Sequence, residues 1–192
     1  MTKPVDNFKG LTNPDSYEFF GKKLPNLKDP YQALGFIQLG VGAAIDEKGD
    51  KIFPSFTYTV GIQENYNLPE FLIIAVNPKS ASEIINLIMH WVRTKDFVPE
   101  PYKVYTQFSN FKMCLIPVAV EVKNDLMTVA NMFYRNKNIY NFGSNELYGA
   151  YQIIWTDTKN NFPWEDGFEE RFLMDAMILG TDEVIEKVKD IV

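Results

Sequence analysis

Two stretches about a hundred residues apart concentrate the side chains that could do chemistry. The first is Phe56-Thr57-Tyr58-Thr59-Val60-Gly61-Ile62, followed by Glu64 and by Asn67-Leu68-Pro69-Glu70-Phe71. The second is Gln152-Ile153-Ile154-Trp155-Thr156-Asp157, followed by Phe162-Pro163-Trp164-Glu165. Each joins a short apolar run to a Pro-anchored turn that carries carboxylates beside aromatic rings. Crowded carboxylates raise one another's pKa and can then act as general acid and general base. Their hard oxygens also suit Mg²⁺ or Ca²⁺. Aromatic walls with a few placed polar groups are what ligand pockets use. If the two apolar runs are neighbouring strands, both turns meet at one end of a sheet. Glu64, Glu70, Asp157 and Glu165 would then ring a pocket walled by Tyr58, Trp155 and Trp164, with Thr59 beside them.

Each carboxylate also has a structural alternative. Asp157 opens Asp157-Thr158-Lys159-Asn160-Asn161, the pattern of an Asx turn. Pro163-Trp164 can lock a corner, and Glu70 can cap backbone amides or pair with a lysine. Other templates lack parts. His90 is the only histidine and Cys114 the only cysteine, so a multi-His metal site lacks parts, and a Ser-His-Asp triad or Cys-His pair is not expected because both residues read as structural. His90 falls one residue off an apolar helical stripe and reads as a surface or boundary residue. Cys114, inside Met113-Cys114-Leu115-Ile116, reads as a buried inert thiol. No Gly-rich phosphate loop opens a helix, so a dinucleotide fold is not expected.

The elements that must position these groups follow from periodicity. Leu34–Ile45 and the run ending in Val60 read as a β-hairpin about the polar turn Asp46–Asp50, with Phe56, Tyr58 and Val60 on one face. Phe71–Val76 is a continuous apolar run, as in a strand covered on both sides. Ser80 and Glu83 suggest a capping box for a helix over 80–94, with Ala81, Ile84, Ile85, Ile88, Trp91 and Val92 as its stripe. Met113–Val122 reads as a strand that Pro117 demotes to an edge or a bulge. Asn124 is placed to cap a helix over 124–134. Asn136–Gly149 is polar and turn-rich, Tyr151–Thr156 reads as a strand, and a helical pattern over 168–190 breaks at Gly180.

Length and composition bound the class. A chain of 192 residues with 46% hydrophobic and 15% aromatic residues can bury a core without staples. Residues 1–30 read as an irregular arm, and 31–192 as a single α+β domain: a mostly antiparallel sheet with three or four packed helices. The net charge of −6, with no basic stripe, argues against nucleic acid. No apolar run approaches a membrane span, and one cysteine suits a reducing cytoplasm.

At the same residues the chain resembles an uncharacterised bacterial family, a domain of unknown function. Its motifs run Phe-x-Tyr-Thr-x-Gly-Leu, Gly-His-Pro-Glu-Leu, and Gln-x-x-Trp-x-Asp followed by Phe/Trp-Pro-Trp-Glu/Asp. Phe56, Tyr58, Thr59, Gly61, Pro69, Glu70, Gln152, Trp155, Asp157, Pro163, Trp164 and Glu165 match in kind and order. The resemblance spans about Phe36 to Phe168. The family's Gly-His is Asn67-Leu68 here, and the N-terminal arm and the tail after Gly180 look like additions.

The expected function is a soluble, cytoplasmic binding module. It would recognise a small polar ligand or a protein segment, as inhibitor, immunity or effector proteins do. The expected ligand-binding residues are Tyr58, Thr59, Glu64, Glu70, Trp155, Asp157, Trp164 and Glu165, with no catalytic residue, metal or cofactor. The alternative is a carboxylate-dependent hydrolase or transferase, with or without a divalent metal. A third reading is an interaction protein with an acidic surface and no pocket. Oligomeric state is open at this stage.

Overall fold

A computed structural model describes residues 18–19, 22–23, 31, 33–95, 97–108, 110–137 and 147–191. The expected N-terminal arm lies largely outside the described residues, as does most of the turn-rich stretch before Gly149. Within the arm, Glu18–Phe19 (β1) and Lys22–Lys23 (β2) pair antiparallel.

The hairpin forms where alternation placed it. Ile37–Val41 (β3) pairs with Phe56–Val60 (β6) in the register Ile37↔Val60 to Val41↔Phe56. Ala44–Ile45 (β4) and Lys51–Phe53 (β5) form a small ribbon between them. The Asp46 side chain closes its turn by accepting from the N–H groups of Lys48 and Asp50, each at 2.9 Å. A short helix, Ile62–Tyr66 (α1), then turns the chain into Glu70–Ile74 (β7), every residue of which is buried.

Pro78–Lys95 (α2) starts two residues earlier than the sequence pattern suggests. The cap is Asn77, whose Oδ1 accepts Ser80 N–H at 3.0 Å; Pro78 follows at the first helical position, where a missing N–H costs nothing. Ser80 is therefore inside the first turn and forms no capping box. Val104–Tyr105 (β8) and Met113–Pro117 (β9) follow. β9 stops at Pro117, and Val120 to Val122 belong to a helix, Val120–Leu126 (α3), not to a strand. The expected helix over 124–134 is two helices broken at Met127: Asn124 sits inside α3, and Thr128–Lys137 (α4) follows. Ala150–Trp155 (β10) is the last strand and Asp182–Val188 (α5) the last helix.

The six strands lie in the order β3-β6-β7-β10-β9-β8. Four pairings are antiparallel and one, β7 with β10, is parallel. The fold is α+β with a mostly antiparallel sheet, as the pattern of elements implied. Alternation divides the sheet's side chains between two faces. Phe71, Ile73, Leu115 and Ile153 pack under α2 against Ala81, Ile85 and Met89. Tyr58, Val60, Leu72 and Ile74 pack under α4 against Val129 and Phe133. Further along that second face, Cys114, Ile116 and Ile154 meet Phe162 and α5.

The segment 168–179 is not the expected helix; it holds only a 3₁₀ turn, Glu170–Phe172. Its backbone groups are engaged by side chains of the sheet. Asp157 accepts Glu169 N–H, and the Gln152 amide bonds both Met177 O and Leu179 N–H. A side chain that satisfies these groups removes the drive to form a helical ladder. Gly180 admits the close approach that follows, since a Cβ there would lie 2.5 Å from Val184 Cγ1.

Candidate functional site

The eight residues singled out by type and spacing occupy two ends of the sheet. β7 and β10 run parallel with Ala150 opposite Glu70, so Glu70 opens one strand while Asp157 follows the far end of the other. From Ala150 to Asp157 is seven residues, about 23 Å at the ~3.3 Å rise of a strand. The two acidic turns therefore do not converge. The strands they follow, β6 and β10, are separated by β7.

At the first end, Glu70 is wholly buried and its carboxylate is surrounded by donors. Oε1 accepts Gly61 N–H at 2.9 Å, Gln63 N–H at 3.1 Å and the Tyr134 hydroxyl; Oε2 accepts the Thr59 hydroxyl at 2.6 Å. Burial raises the Glu70 pKa, and these four hydrogen bonds only partly oppose it. Thr59 Oγ1 also accepts Phe71 N–H at 2.8 Å, so one hydroxyl ties β6 to β7. Gly61 is required here: its φ is +107°, and a Cβ would stand 2.5 Å from the Tyr31 ring. Glu64 is half-buried and accepts the Tyr31 hydroxyl at 2.5 Å. Tyr58 is core, its hydroxyl accepting Val129 N–H at 3.3 Å; burial pushes its pKa up to about 12.

At the second end the acidic residues hold turns. Asp157 is buried. Its Oδ1 accepts the N–H groups of Lys159 and Asn161, and its Oδ2 that of Glu169, all at 2.9 Å. Burial alone would raise its pKa, but these N–H groups outweigh it and the net direction is downward. Glu165 accepts Phe162 N–H at 2.6 Å. Trp164 stacks on Phe162 at 4.6 Å, and its indole N–H donates to Ile191 O at 3.2 Å. It packs with Cys114 and Ile154 on the α4–α5 side, whereas Trp155 packs with Ile153 and Met113 on the α2 side. The two tryptophans thus lie on opposite faces of the sheet.

Of the eight, Trp155 lines a groove of about 590 Å³. Its floor is Trp155 and Met113 together with Ala75–Asn77, the residues just beyond β7. One wall is α2, through Ser80, Glu83, Ile84 and Leu87; the other is the loop of Phe108, Asn110 and Phe111. The chain leaves β7 onto the α2 face and leaves β10 toward segments packed on the opposite face. Neighbouring parallel strands whose connections part to opposite faces leave a crevice at their carboxyl ends, where ligands of open α/β sheets bind. Ala75 adopts φ +56°, uncommon for a residue with a Cβ. The Trp155 indole N–H is directed at Ile74 O, 3.4 Å away, and Phe172 meets its ring edge-on at 6.1 Å.

Residue type did not reveal Tyr134, the partner of Glu70, or Lys123, which is buried and donates to Tyr148 O. Nor did it reveal Asn77, Glu83, Phe108 and Phe111. The one available signal for the groove was Asn77-Pro78 directly after the apolar run of β7, a strand-to-helix junction. His90 is exposed on α2, as its offset from the stripe implied, and Cys114 is buried with its thiol pKa pushed up to about 12 by burial. Among the described residues, no three His, Cys, Asp or Glu side chains group as metal ligands, and no helix is long and apolar enough to cross a membrane.

Comparison with known proteins gives one result. Residues 34–169 match the model of a domain of unknown function, DUF4262, and the chain belongs to that family. The match ends within two residues of the resemblance drawn from the motifs, leaving the arm and the tail outside. No curated protein and no solved structure matches the chain.

Proposed function

We propose that this DUF4262 domain is a binding module that holds a small ligand in the Trp155 groove without transforming it. The observation that carries the reading is position: the groove opens at the carboxyl ends of the parallel pair, where connections part to opposite faces. Its volume and its mostly apolar lining, with a few polar groups, suit a small amphipathic molecule. The unusual φ of Ala75 at the floor is the kind of local strain that collects at ligand sites.

The carboxylate-enzyme alternative is less well supported. Acid and base pairs cooperate across about 5–10 Å, whereas Glu70 and Asp157 stand at opposite ends of the sheet and each is engaged by several donors of the fold. The proposal therefore moves the ligand face from the eight residues to Trp155 and the walls around it. The remaining seven hold the scaffold. A cytoplasmic location and the absence of nucleic-acid binding belong to the same proposal, resting on the single cysteine and the net charge of −6.

The test is native mass spectrometry of the purified protein, followed by a thermal-shift screen of small amphipathic fragments. Leu87→Trp, on the wall of α2, fills the groove. The reading requires fragments that raise the Tm of the wild type and leave that of the variant unchanged. Hits that stabilise both equally would place binding elsewhere, and a screen with no hits of any charge would overturn the proposal.

A further inference from the structure

The groove's chemistry points beyond its shape to a class of ligand, an inference that rests on the groove being the binding site. Among the described residues that line it only Glu83 is charged, with no lysine, arginine or histidine beside it. Glu83 is exposed at the rim, and its carboxylate has no hydrogen-bond or ion-pair partner among the described residues. The rings of Trp155, Phe108 and Phe111 line the same groove, and aromatic faces attract cations. Because the indole N–H is turned to Ile74 O, Trp155 contributes its ring and not a donor. The other polar lining groups are Asn77, Ser80 and Asn110, able to accept hydrogen bonds as well as donate them.

One feature opposes a cation: the N-terminus of α2 is near, and helix N-termini attract anions. One of its first-turn donors is already engaged, however, since Ser80 N–H bonds Asn77 Oδ1 at 3.0 Å and the Asn77 amide bonds Ser80 Oγ at 2.9 Å. A half-charge, partly capped by Asn77, is outweighed by a whole carboxylate at the rim and by aromatic rings, both of which favour positive charge. The chain's net charge of −6 adds to the same preference.

We infer that the groove takes an amphipathic cation: an amine with an apolar or aromatic body, seated with its body against Trp155 and its ammonium at Glu83. The body lies along Ile84, Leu87 and Met113, while the ammonium stays at the wet rim, where it keeps part of its hydration. That placement avoids the cost of burying an unpaired charge.

The experiment uses the full chain and three probes with matching bodies: phenethylamine, 2-phenylethanol and 3-phenylpropionate. Affinity is read by tryptophan fluorescence and calorimetry at low and at physiological salt. The amine is expected to bind about fivefold tighter than the alcohol, the gain of a contact charge pair in a water-like dielectric, and the carboxylate most weakly. Added salt should narrow the gap. Glu83→Gln should bring the amine down to the alcohol while leaving the alcohol's Kd unchanged. Leu87→Trp should lose all three. If the three probes bind the wild type alike, or if the amine keeps its advantage in Glu83→Gln, the cation assignment fails while the groove stands. If none binds, or binding survives Leu87→Trp, the groove itself fails as the site.

Discussion

Replacing Glu70 separates a structural lock from a catalytic acid. In Glu70→Ala the Tyr134 and Thr59 hydroxyls can rotate toward other acceptors, but the N–H groups of Gly61 and Gln63 are fixed by the backbone and lose the Oε1 that accepts them. A buried donor left unpaired costs about 1–3 kcal/mol. The Gln63 bond is partly solvent-accessible, so the expected loss is about 3 kcal/mol, near the lower half of the two-donor range. That is a sizeable share of the ~5–15 kcal/mol that holds a typical domain together. Glu70→Gln should behave differently. Its amide oxygen keeps the three donors at the Oε1 position, and its NH₂ at the Oε2 position donates to Thr59 Oγ1, as a neutral glutamic acid would. The expected loss is under about 1 kcal/mol. The pH dependence has a fixed sign. Burial raises the folded pKa of Glu70, so its contribution is fully present below the ordinary glutamate value of about 4.3 and fades as pH rises through the raised folded value. The stability of wild type minus that of Glu70→Gln must therefore fall as pH rises from about 4 upward. Urea melts of the three proteins across that range, with unchanged m values, measure it. A loss below about 0.5 kcal/mol in Glu70→Ala, or a wild-type advantage that grows with pH, would refute the reasoning.

Three further perturbations follow from the same geometry. Asp157→Ala releases three N–H groups where Glu165→Ala releases one, so it should lower the Tm more; equal shifts in differential scanning would contradict this. Because the folded Asp157 pKa is lowered, its contribution is present above the ordinary aspartate value of about 3.9 and is lost as pH falls through the folded value; Asp157→Asn should flatten that acid limb. Gly61→Ala and Gly49→Ala both place a Cβ at positive φ, +107° and +91°, but only the first meets other atoms, at 2.5 and 3.0 Å. Gly61→Ala should therefore cost at least about 1 kcal/mol more than Gly49→Ala in denaturant melts, and similar losses would deny the crowding. Trp164→Ala removes a half-buried ring stacked on Phe162; about 2–3 kcal/mol is expected, below the 3–5 of a fully buried aromatic, and a negligible loss would argue against its packing role.

Much of the fold was legible because it is written in local period. Alternation in β3 and β6, the unbroken apolar run of β7 and the stripe of α2 each follow from burial on one face or two. The failures share a cause. Residues 168–179 carry helical periodicity, yet Leu173 and Met174 are exposed and Gln152 and Asp157 hold that backbone from the sheet. Such long-range side-chain bonds leave no trace in a local pattern. The expected convergence of the two acidic turns failed in the same way. A carboxylate beside Pro and aromatic residues reads alike whether it faces a substrate or three backbone amides; the difference lies in partners such as Gly61 and Tyr134, which only the tertiary fold supplies.

Strand order was the decisive missing quantity. Placing β7 between β6 and β10, parallel to the latter, sends the two acidic turns to opposite ends and creates the crevice in one step. The motif residues then acquire a common purpose. Thr59, Gly61 and Glu70 fasten the amino end of β7, while the Asp157 carboxylate fastens the chain beyond β10 through Glu169. Three residues past Glu169, Phe172 rests edge-on against Trp155 at the floor of the groove. A turn lock that never touches the groove thus sets the position of the ring that lines it. In the proposed binding role, the motif carboxylates would act through the rigidity they give to β7, β10 and Trp155, because a preorganised wall spares a ligand the entropy of ordering it.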